Sequence, residues 1–112
     1  MKIFLLLFLL LSFSVRAAFV SGTDIPLMDG LVIDENEGFS FDTPAGQIVT
    51  VLGRTTATKK EIETFYQDSL TALGWRQISS TKYRRDQDEL VLQISPAVNK
   101  IEVRLQLTFS NK

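Results

Sequence analysis

The sequence predicts an α+β domain: an antiparallel sheet of four to five strands with one amphipathic helix packed on one face, in the order β-β-α-β-β-β. Three observations carry this. Ile101, Val103, Leu105, Leu107 and Phe109 alternate with Glu102, Arg104, Gln106 and Thr108, the period-two pattern of an antiparallel strand with one face covered and one wet. A single stretch, 59–73, has helical spacing instead. The remaining apolar runs are short and separated by Pro, Gly, Ser and Asn. A one-faced sheet and a one-striped helix bury their apolar surfaces against each other.

The chain begins with Met1-Lys2 and an apolar run, Ile3 to Phe13, in which only Ser12 is polar; Ser14-Val15-Arg16-Ala17-Ala18 follows. A positive start, an apolar stretch of this length and small residues after it match a secretory signal peptide, with cleavage expected after Ala17. A membrane-spanning helix needs about 20 apolar residues, and Arg16 interrupts the run before that. An uncleaved anchor is the alternative. The domain plan is therefore a signal peptide at 1–17, an extended arm at 18–38 and one α+β domain at 39–112.

The arm is turn-rich, with Ser21-Gly22, Pro26, Asp29-Gly30 and Asp34-Glu35-Asn36-Glu37-Gly38; only Leu31-Val32-Ile33 has strand character. Phe39-Ser40-Phe41 and the run Gln47 to Leu52 flank Thr43-Pro44-Ala45-Gly46 and read as a β-hairpin. Thr58 and Glu61 have capping-box spacing. Ile62, Phe65, Tyr66, Leu70 and Leu73 then make one helical face, and Gly74 closes the helix as a left-handed cap. Trp75 to Ile78 and Lys82 to Arg85 are short strands about a Ser79-Ser80-Thr81 turn. Leu90, Leu92 and Ile94 mark the next strand, and Pro96 to Lys100 turns into the last.

Composition limits the chemistry. The chain of 112 residues has no cysteine and no histidine, which excludes a Ser-His-Asp triad, a thiol nucleophile, a Cys/His zinc site and disulfide staples. Much of the 45% hydrophobic content lies in the N-terminal run. Without residues 1–17, which hold Lys2 and Arg16, ten basic residues face thirteen acidic ones, so the exported part is mildly acidic. An exported domain with neither a disulfide nor an Asn-x-Ser/Thr sequon suits the periplasm of a Gram-negative bacterium.

Few motifs point to catalysis. Ser79-Ser80-Thr81-Lys82 satisfies Ser-x-x-Lys formally, but that motif must open a helix, and here it sits in a turn. Asp34, Glu35, Glu37 and Asp42 lack the spacing of a calcium loop and read as solvated acids. No glycine array for phosphate occurs. Lys82-Tyr83-Arg84-Arg85 is the one basic run; Asp86, Asp88 and Glu89 offset it, so it reads as a guarded edge strand or a contact patch, not a nucleic-acid site. Trp75 reads as core, or else as the floor of an apolar pocket with Tyr66 at its rim.

The segments from Asp24 to Leu31 and from Phe41 to Val49, with Phe65-Tyr66, Leu70 and Leu73-Gly74-Trp75, resemble a family of small uncharacterised exported proteins of alphaproteobacteria. The resemblance implies a periplasmic compartment and a fold, not an activity. Gln47 stands where the family's pattern has a basic residue, so no charge-based role is carried over to it.

The expectation is an exported non-enzymatic domain, with no cofactor and no metal, acting through protein contacts at the bacterial cell envelope. Ile25, Pro26, Leu27 and Met28 on the arm and Lys82, Arg84 and Arg85 on the basic edge are the candidate partner contacts. The alternative is a periplasmic small-ligand or lipid-binding domain with a pocket near Tyr66 and Trp75.

Overall fold

Alternation along the last strand sets the architecture. In the computed structural model, which describes residues 19–20 and 22–110, the elements are β1 (Val32–Ile33), β2 (Phe39–Thr43), β3 (Gly46–Thr55), α1 (Lys59–Ala72), β4 (Arg76–Gln77), β5 (Lys82–Arg85), β6 (Asp88–Ala97) and β7 (Lys100–Ser110). The expected signal segment lies outside the described residues.

All the strands join one antiparallel sheet in the order β1-β3-β7-β6-β5-β4, with β2 beside β1 on the outer side of β3. The α+β class holds, and the sheet is wider than the sequence suggests: seven strands, not four to five. β1 is two residues long, too short to show a period, and β4 falls inside the short strand expected over Trp75 to Ile78, paired with β5 as a strand of its own.

Long register binds the centre. β3 pairs with β7 from Gly46↔Ser110 to Thr55↔Ile101, and β6 pairs with β7 from Glu89↔Thr108 to Ala97↔Lys100. Opposed residues share a face. Val49, Leu90, Leu92, Val103, Leu105 and Leu107 therefore form one apolar surface, and all are buried. Tyr83 joins them through its pairing with Leu90.

β6 runs through Pro96, where the sequence suggested a turn. β5 accompanies β6 only as far as Val91, so Pro96 lies where β6 has β7 as its one neighbour and a missing N–H is tolerated. The chain then reverses at Val98-Asn99, with Asn99 at a positive φ of 60°.

The helix starts and stops as its residues require. Thr58 Oγ1 accepts from the Glu61 amide at 3.1 Å, and Glu61 Oε1 accepts from the Thr58 amide at 2.8 Å. At the other end Gly74 takes a φ of 92°, and the Trp75 amide donates to the Leu70 carbonyl at 2.9 Å. Between them Ile62, Tyr66 and Leu70 are buried against the sheet.

Described residues of the expected arm pack on the body. Val20 and Ile25 are buried in the same core as the helix and sheet, and β1 pairs with β3. Val20 and Ile25 sit in short apolar runs, Phe19-Val20 and Ile25 to Met28, that carry no strand or helix period, so only packing reveals which of their residues face inward.

Gly46 is where the hairpin is least replaceable. It has a φ of 151°, and a Cβ placed there would come within 1.8 Å of the Phe109 carbonyl oxygen. Gly46→Ala is therefore expected to destabilise the fold by about 3 kcal/mol or more, read as a lower midpoint in urea denaturation.

Candidate functional site

The arm residues fold inward through local bonds. The Val20 amide donates to the Ile25 carbonyl at 2.8 Å. Thr23 Oγ1 donates to the Val20 carbonyl at 2.8 Å and accepts from the Ile25 amide at 3.0 Å. Phe19 bridges Pro26. This small loop seats Ile25 in the core with no exposure, which removes it from the expected contact set. Leu27 and Met28 are partly buried and pack on the same core, and the Pro26 carbonyl accepts from Tyr66 Oη at 3.0 Å.

Arg85 fastens the loop from the other side. Its guanidinium meets Asp24 at 2.9 and 3.2 Å, donates to the Leu73 carbonyl at 3.1 Å and lies 4.6 Å from the centre of the Trp75 ring. One side chain thus ties the arm, the helix end and the sheet together. The hydrogen bond and charge of Arg85 hold the Asp24 carboxyl below its usual range, against a smaller opposing effect of burial. Arg85 is therefore committed inside the molecule.

Lys82 and Arg84 face the other way. Both approach Glu89, at 3.9 and 3.2 Å, on the face of the sheet that the helix does not cover. β5 is not the edge expected for it, because β4 lies outside it and places Arg76 opposite Arg84. The basic edge is real in sequence but sits one strand inward.

Tyr66 and Trp75 do not line an open pocket. Tyr66 has no exposure and Trp75 has 2%. Burial pushes the Tyr66 hydroxyl up to about 12, with the backbone of Met28 pulling weakly the other way. Trp75 Nε1 is buried without a hydrogen-bond partner, so the tryptophan contributes apolar area at the cost of one unmet donor. An open cleft of about 310 Å³ lies elsewhere, lined by Phe19, Val20, Leu27, Ile33 and Val51 with Asp34 among them.

The uncovered face carries the feature the sequence did not single out. Phe39 pairs with Thr50 and Phe41 with Ile48, and this register turns both phenylalanines away from the core. They stack at 5.5 Å with an interplanar angle of 26°, and are 52% and 46% exposed. Val32, opposite Arg54, is exposed on the same face. Further along, Arg54 bridges Asp34 at 3.1 Å and Glu102 at 3.2 Å. The face is thus apolar at its β2 side and charged across the rest.

The signal was present in β3. Ile48 and Leu52 alternate with Val49 and Val51, so this strand is apolar on both faces, and the helix packs over only one of them. Beneath Phe39, Thr50 Oγ1 is buried with no partner. No helix among the described residues is long and apolar enough to cross a membrane, and no group of His, Cys, Asp and Glu among them is placed to hold a metal ion.

Comparison with protein-family models, curated proteins and solved structures finds no match.

Two outcomes follow from these buried groups. The hydroxyl of Tyr66 is more easily kept protonated in the folded state, so its contribution is intact below pH 10 and is lost as pH rises from there towards about 12. The shift corresponds to roughly 2–3 kcal/mol, and Tyr66→Phe should remove this alkaline slope in denaturation series while costing stability at neutral pH, because the Pro26 carbonyl loses its donor. Thr50→Val replaces an orphaned hydroxyl with a methyl of similar shape and is expected to be neutral or to raise stability by about 1 kcal/mol in thermal unfolding.

Proposed function

We propose that the protein is an exported, non-enzymatic domain that works through protein–protein contacts at the bacterial cell envelope, with its contact surface on the uncovered sheet face at Phe39 and Phe41. The observation that carries the reading is the stacked, half-exposed phenylalanine pair on a face that no helix or strand among the described residues packs over. Large aromatic side chains supply much of the energy of protein contacts, and contiguous apolar exposure is disfavoured where nothing covers it. Export is supported by Lys2, the apolar run that follows and the small residues around Ala17. A periplasmic destination is supported by the absence of cysteine and of glycosylation sequons.

The contact surface therefore moves from the arm to β2. Arm residues hold the fold, and Arg85 is engaged with Asp24. Lys82 and Arg84 remain candidates at the far side of the same face, where their charge would select orientation more than strength.

A second reading is a small-ligand or lipid-binding domain. Its support is the apolar cleft at Leu27, Ile33 and Val51, which replaces the pocket expected at Tyr66 and Trp75.

A crosslinking pull-down from envelope extracts separates the two. Phe39→Ser with Phe41→Ser is expected to lose the captured proteins at unchanged circular dichroism. Capture that is indifferent to both changes, together with a thermal shift on adding envelope lipids that Leu27→Arg abolishes, would favour the ligand reading.

A further inference from the structure

We infer that β2 is a self-pairing edge, through which two copies of this chain join their sheets about a twofold axis at Ser40. The inference rests on the reading of Phe39 and Phe41 as the contact surface and names the partner as a second copy.

The first ground is that β2 has an unpaired side. It pairs with β3 residue for residue from Phe39↔Thr50 to Thr43↔Gly46, and among the described residues no strand lies on its outer side. Such an edge presents free backbone donors and acceptors. It carries no lysine, no proline and no bulge, its one charge is Asp42, and four of its five residues are exposed. The opposite edge differs, for β4 is two residues long and presents Arg76 beside Arg84. One edge discourages pairing and the other does not. That asymmetry favours a closed dimer over an open chain of sheets.

The second ground is that Phe39-Ser40-Phe41 reads the same in both directions. In an antiparallel pair centred on Ser40, Phe39 of each copy faces Phe41 of the other, and all four rings fall on the uncovered face. The charges also agree. In that register Asp42, the one acid on the strand, faces Gly38, so the pairing sets no acidic residue of β2 against another. Like charges directly opposite would have opposed the pairing.

The absence of cysteine makes the register testable. Ser40→Cys introduces the chain's single thiol at the point where the two copies would be in register, at a Cα separation of about 4.5–5.5 Å. Under mild oxidation the dimer should crosslink at least tenfold faster than Thr71→Cys, an exposed helix position. Sedimentation of the wild-type mature chain should show a monomer–dimer equilibrium. Phe39→Lys with Phe41→Lys should give a monomer, as should the corresponding pair of glutamates. Mixing the two variants should restore a one-to-one dimer, because lysine then faces glutamate.

A monomer at all concentrations, with the two thiol variants crosslinking at equal rates, overturns self-pairing. If envelope capture still depends on Phe39 and Phe41 in that case, the contact surface stands and its partner is another protein. If capture ignores both residues, the surface falls as well.

Discussion

One helix cannot cover this sheet. An α-helix with its side chains is about 10 Å wide, whereas six strand positions at roughly 4.8 Å spacing span about 24 Å. The apolar face built from β3, β7, β6 and β5 would be left partly wet if α1 were its whole cover. The loop at 19–28 closes the gap by placing Val20 and Ile25 in the same core as Ile62, Tyr66 and Leu70. The second layer is therefore composite, part helix and part irregular chain. Irregular chain has backbone groups to satisfy, and Thr23 with the Val20 and Ile25 pairing meets that need locally.

A composite layer needs fastening, and two unlike bonds supply it. The Tyr66 hydroxyl reaches the Pro26 carbonyl from within the core, where water does not compete. Arg85 holds Asp24 at the surface, where the pair is half-exposed and worth little by itself. Its value lies in what the same guanidinium also does. It caps a carbonyl at the end of α1 and covers the Trp75 ring, so losing it loosens three elements together. The basic run at 82–85 is thus split by strand geometry: Arg85 turns towards the arm, and Lys82 and Arg84 turn to the uncovered face.

The parts legible in the sequence are those with a period or a cap. β7 alternates over its whole length, α1 carries both halves of its capping box, and Pro44-Ala45 marks its hairpin. β1 was not legible as a sheet member because two residues hold no period, whereas β4 falls within the short strand read at Trp75 to Ile78. The core role of Ile25 was hidden for a similar reason, since the short run Ile25 to Met28 has no period that tells its inward residues from its exposed ones. Face was the harder question at β2. Phe39-Ser40-Phe41 announces alternation, and hydrophobic alternation is ordinarily read with the large residues inward. The pairing with β3 decides otherwise, because the tight turn at Thr43 to Gly46 fixes which residues stand opposite Ile48 and Thr50.

The turn explains where β2 lies but not why it carries two phenylalanines. The position of β2 is set by its turn: Thr43 Oγ1 donates to the Gly46 carbonyl at 2.7 Å and accepts from the Gly46 amide at 3.1 Å, and Gly46 alone tolerates the approach of Phe109. Neither ring is needed to hold the register, and neither reaches the core that the helix and arm enclose. Polar β-formers such as threonine would serve the strand as well at both positions and would keep the edge soluble. Fold stability therefore does not account for two adjacent aromatic rings on the wet side of an edge strand. A requirement outside the single folded chain does, and the uncovered face is where that requirement is met.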